Sequence, residues 1–138
     1  MSKMSAKGAV IIIDDSAGSP QTISADVDSY DIQYETDAPE ITGFNEGSHN
    51  FTPGQKIVGI TFDVLWNSAA TTGAMTVLSG IVGSATSKTV SVKPDPAGLT
   101  LSGEFMCTGI HPAGTPAGAI KLGSVKFVVM GAVAPSWA

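Results

Sequence analysis

The run GAVIII at residues 8 to 13 is β-branched and unbroken, and the DDSAGSPQ that follows carries the Asp, Gly, Ser and Pro of a turn, so a first strand is expected there. In TISADVDSYDIQY the apolar residues sit at 23, 25 and 27, then at 30, 32 and 34. A period of two that changes parity around Asp28-Ser29 implies a β-bulge, which returns both sets to one core-facing side. Asp26, Asp28, Asp31, Gln33, Glu35 and Asp37 then share the opposite face, an acidic stripe. Residues 38 to 55, APEITGFNEGSHNFTPGQ, hold two Pro and three Gly around isolated Ile41, Phe44 and Phe51. They are expected to be a long loop or extended hairpin, a length that usually serves function.

KIVGITFDVLW carries the clearest alternation, with Val58, Ile60, Phe62, Val64 and Trp66 on one face and Gly59, Thr61 and Asp63 on the other. After it the period lengthens. Ala70, Ala74, Val77, Leu78, Ile81 and Val82 recur at three and four residues, which predicts one short amphipathic helix over 68–83 with Asn67 or Ser68 as its N-cap. Glycines 73, 80 and 83 weaken such a helix, so it should lie packed on a sheet. Three further strands are expected in SKTVSV, GLTLSGEFMCTGI and AIKLGSVKFVVMGAV, the last changing parity at Gly123-Ser124, where a second bulge or bend belongs. The order predicts a mainly β, single-domain sandwich or barrel with one helix spanning residues 1–138.

Composition supports a folded, turn-rich β chain: 43% of the 138 residues are hydrophobic against 14% charged, with 16 Gly and 8 Pro. Seven lysines, no arginine and a net charge of −5 argue against a surface that grips nucleic-acid phosphates. The single Cys107 cannot close an intramolecular disulfide and reads as a small buried thiol. No apolar segment approaches the roughly 20 residues needed to span a bilayer, and Ala9 to Ile13 is too short for a signal peptide. A soluble protein that folds in the cytosol is expected, without membrane insertion.

Catalytic chemistry finds little support. His49 and His111 are isolated, with no ligand spacing for zinc, and Asp26-x-Asp28-x-x-Asp31 lacks the glycine and terminal glutamate of a calcium loop. There is no nucleophile elbow and no phosphate-cradling glycine motif. Asp63 and Glu104 could be drawn as an acid–base pair, but outward polar strand positions explain both equally well. Neither an enzyme activity, nor a metal site, nor a cofactor is expected. Charge is unevenly spread, nine of the twelve acids lying between Asp14 and Glu46, and such a dipolar chain could associate with copies of itself.

Taken together, the ISADVDSY strand, the ITGFNEGSHNFTPG loop ahead of TFDVLWN, the helix after it and the late SGEFMCTG strand resemble the single-domain tail tube proteins of long-tailed bacteriophages. The resemblance covers most of the chain. It implies a β-sandwich that forms hexameric rings with a continuous inner β-barrel, stacked into a tube that conducts DNA without binding it specifically. It implies self-association, with tape measure and tail terminator proteins as partners, in a virion tail assembled in the host cytoplasm. It also places an inter-ring contact on residues 38–55, with Ile41, Phe44, His49 and Phe51, and suggests Asp26, Asp28, Asp31 and Glu35 as lumen-facing acids that repel passing phosphates. A neck or capsid decoration protein, or a ligand-binding β-sandwich, would share the same composition.

Overall fold

The computed structural model describes residues 8–44, 47–131 and 133–138, and the β-branched run near its start forms β1 (Val10–Asp14), with Ile11 and Ile13 buried. There follow β2 (Pro20–Thr22), a 3-10 turn (Ser24–Asp26), β3 (Val27–Thr36), β4 (Lys56–Leu65), helix α1 (Ala74–Ile81), β5 (Lys88–Lys93), β6 (Leu101–Ala113), β7 (Lys121–Val129) and β8 (Ser136–Trp137). All strands join one antiparallel sheet in the order β2-β1-β5-β6-β7-β4-β3, and β8 pairs with β6.

The sheet curls back on itself because its two ends are tied. Ile23 N–H donates to Ile11 O at 3.0 Å, and Ile11 N–H donates to Ser24 Oγ at 2.8 Å, which fastens β1 to the turn that leads into β3. The enclosed core takes Val58, Ile60, Phe62 and Val64 from β4, Leu101, Phe105 and Cys107 from β6, and Leu122, Val125 and Phe127 from β7. Phe62 and Phe127 meet edge to face, 5.7 Å between centroids, the arrangement favoured by the aromatic quadrupole. Helix α1 adds Ala74, Val77, Leu78 and Ile81 to this core.

Both expected bulges are present. The β3–β4 register shifts between Val27 and Ser29, leaving Asp28 as the extra residue. The β4–β7 register shifts where Phe62 faces Val125 but Val64 faces Leu122, so Gly123-Ser124 supplies the second, with Ser124 at φ 54°. The β7 bulge returns Val125 and Phe127 to the core, and the β3 bulge brings Tyr30 and Ile32 against it, whereas Tyr34, expected on the same side, stands 37% exposed.

Several expectations need correction. The helix spans Ala74–Ile81 rather than 68–83, and neither Asn67 nor Ser68 caps it: the N-cap is Gly73. A Cβ at Gly73 would lie 2.5 Å from Asn67 O, so the tight approach of the preceding loop demands glycine there. Gly83, at φ 71°, ends the helix, which leaves only Gly80 inside it. Trp66 does not continue the buried face of β4 but stands 40% exposed. The two short strands β2 and β8 arise in segments that carry no alternation, and Ser24–Asp26 is a turn rather than the start of a strand.

Candidate functional site

Of the two forms expected for residues 38–55, the described part takes the extended hairpin: β3 and β4 continue past their ends as a paired arm. Ile41 N–H donates to Asn50 O at 2.8 Å, Thr52 N–H donates to Pro39 O at 3.0 Å, and Glu40 faces Phe51 in an antiparallel bridge. Side chains stitch the stem further: Glu40 takes hydrogen bonds from His49 and, at 3.0 Å, from Thr42 Oγ1, which itself accepts Asn50 N–H at 2.8 Å. The His49 ring, and after it the Thr42 hydroxyl, hold the Glu40 carboxyl below its ordinary value. Against this polar stitching the apolar residues are unprotected: Ile41 is 59% and Phe51 60% exposed, and Phe44 is fully so. Since Glu40 and Phe51 share one face of the stem, Ile41 lies on the other, and the arm is apolar on both sides.

The acids singled out in the sequence fall into different environments. Asp31 and Glu35 lie exposed on the outward face of β3, with Gln33 between them donating to Glu35 Oε2 at 3.3 Å. Beside them on the same face are Thr61 of β4 and Lys126 of β7, in register with Asp31 across the strands. Asp28 sits in the bulge and pairs with Lys121 Nζ at 3.4 Å. Asp26 is half-buried in the 3-10 turn, where both carboxylate oxygens accept Asn67 Nδ2 at 3.1 Å and one accepts the Ala74 amide at 3.3 Å. Asp26 thus does for the helix start what a side-chain N-cap ordinarily does, from another element.

Asp63 and Glu104 are both engaged in structure. Asp63 accepts Ser29 Oγ at 3.2 Å and Ser124 N–H at 3.1 Å, and Glu104 accepts Ser87 Oγ at 3.0 Å and Thr89 Oγ1 at 2.5 Å. His111 Nδ1 lies 3.1 Å from Gly123 O, far in the fold from the arm that carries His49. Among the described residues no group of three His, Cys, Asp or Glu side chains is placed to hold a metal ion, and no helix is long and apolar enough to cross a membrane. Cys107 is buried, and desolvation pushes its thiol up from the ordinary value. Trp66, which the strand alternation placed on the buried face of its strand, and Ile120 both stand exposed at the opposite end of the barrel from the arm.

Comparison with known proteins places the fold. No family model matches the chain, and no curated protein matches it in sequence. Among solved structures it is similar to a chain in the virion of a native gene transfer agent particle, with a TM-score of 0.78 at 18% identity over 99% of both chains. It is similar also to a chain in the tail of an empty gene transfer agent particle solved with C6 symmetry, with a TM-score of 0.76 at 19% identity, again over 99% of both chains. From end to end, the chain has the fold of these particle components.

Proposed function

We propose that this chain is the subunit of a tail tube in a phage-like particle, a structural protein with no catalytic step. Its copies form six-membered rings that stack end to end around a channel through which DNA passes. The observation that carries this is the fold shared over 99% of both chains with a tail of C6 symmetry. The arm supports it: a stem with Ile41, Phe44 and Phe51 in water is costly for a lone monomer and rational for a segment that is covered on assembly. In this reading the arm bridges one ring to the next.

Asp31 and Glu35 on the outward sheet face then line the channel, and their like charge keeps DNA sliding instead of adhering. A tape measure protein inside the tube and a terminator at its end are the further partners, and the place of action is the virion tail. Negative-stain microscopy of the purified chain is the direct test. Rings or hollow tubes of six-fold symmetry are expected; a chain that remains monomeric at every concentration and salt would count against the proposal.

A further inference from the structure

We infer that the surface receiving the arm is the opposite end of the same barrel on the next copy, centred on Trp66 and Ile120 with Lys121 beside them. The inference rests on the tail-tube reading. The arm leaves the sheet at Thr36 and returns at Lys56, whereas Leu65, Trp66 and the β7 residue Lys121 mark the other end of the same strands. Ten residues of β4 at about 3.3 Å each separate the two ends by about 30 Å, so no arm can cover its own counterpart without folding back along the barrel.

That far end presents an apolar pair held in fixed relation. Trp66 N–H donates to Ile120 O at 2.9 Å, and the two side chains are 40% and 47% exposed. Charge does not oppose the contact, because Lys121 at this end is paired with Asp28 at 3.4 Å and Glu40 of the arm with His49. The rival surface is Leu99 beside Pro94 and Trp137. It lies at the arm's own end, because Trp137 stacks edge-on against Tyr34 of β3 at 6.3 Å. An arm docking there would join like ends into a closed pair, whereas docking on Trp66 and Ile120 joins unlike ends and leaves the chain of contacts open, as a stack requires.

Cysteine cross-linking tests this, since the buried Cys107 thiol stays out of mild oxidation. A chain carrying both Phe44→Cys and Ile120→Cys should oxidise in assembled tubes to a ladder extending beyond dimers, while Phe44→Cys with Leu99→Cys should stay monomeric on a denaturing gel. Ile120→Asp and Trp66→Asp, at exposed positions, should melt as the parent does and lose tubes. Dimers from the Leu99 pair, or normal tubes from both Asp variants, would overturn the assigned surface while leaving the tail-tube reading intact. A parent chain that forms no ring or tube would overturn both.

Discussion

Asp63 faces outward on β4, a place where a carboxylate ordinarily needs nothing but water. Here it lies between the two bulges and takes one hydrogen bond from each, the Ser29 hydroxyl on β3 and the Ser124 amide on β7. Ser124 holds a left-handed backbone that an L-residue adopts only with local support, and the carboxylate supplies it. Hydrogen bonds to a charged acceptor are worth more than neutral ones, but the site is exposed, so Asp63→Ala should cost about 1 to 2 kcal/mol in chemical denaturation. Asp63→Asn keeps an acceptor oxygen for the Ser124 amide and should recover most of that loss; equal losses in both variants would mean that charge, not the bond to the bulge, matters. At this scale the sequence shows where the bulges must be, because parity breaks at Asp28-Ser29 and Gly123-Ser124 are visible in it. It does not show that one aspartate serves both, since Ser29, Asp63 and Ser124 meet only through strand pairing.

At the level of elements, helix α1 is stabilised by burial more than by intrinsic propensity, with eight residues, a glycine within, and no side-chain cap of its own. Leu78 is wholly buried, and Leu78→Ala should lower stability by about 2 to 5 kcal/mol, whereas the exposed neighbour change Ser79→Ala should stay within about 0.5 kcal/mol. Comparable melting curves for the two variants would show that the buried face is wrongly assigned. The arm is governed instead by polar contacts. Because the Glu40 carboxyl is held down by His49 and then by Thr42, its contribution to the stem is complete above the ordinary glutamate value of 4.5 and is lost as pH falls through its lowered one. Carboxyl-resolved NMR should show Glu40 titrating below 4.5, and His49→Ala should move it back toward that value. The helix face was legible from its three-and-four spacing, but its start was not, because the N-cap is a glycine and the carboxylate that takes the Ala74 amide, Asp26, lies 48 residues upstream. The arm's length was legible, and whether it pairs as a hairpin stayed open, since its apolar residues fill no core and leave no alternation to read.

For the whole molecule, the proposed tube gives the acidic stripe of β3 a role in the assembled state. Two of its four singled-out members already have local work: Asp26 takes neutral donors at the helix start, and Asp28 pairs with Lys121. Asp31 and Glu35 are exposed and form no ion pair among the described residues, on a face they share with Gln33, Thr61 and Lys126. Repeated around a ring, such carboxylates repel one another, a cost to assembly that salt moderates over a Debye length of about 8 Å at physiological ionic strength. In the proposed tube, such a charge would offset that cost by keeping phosphates from attaching to the channel wall. Replacing Asp31 and Glu35 by lysine should therefore leave the melting curve of the subunit nearly unchanged, since neither side chain is buried. Tubes of the variant should retain DNA, and the retention should weaken steeply as salt rises, because each lysine–phosphate contact displaces condensed counterions. If instead the variant tubes hold no more DNA than the parent at low salt, Asp31 and Glu35 do not face the channel, and the outward sheet face must lie against a neighbouring copy or on the outer wall.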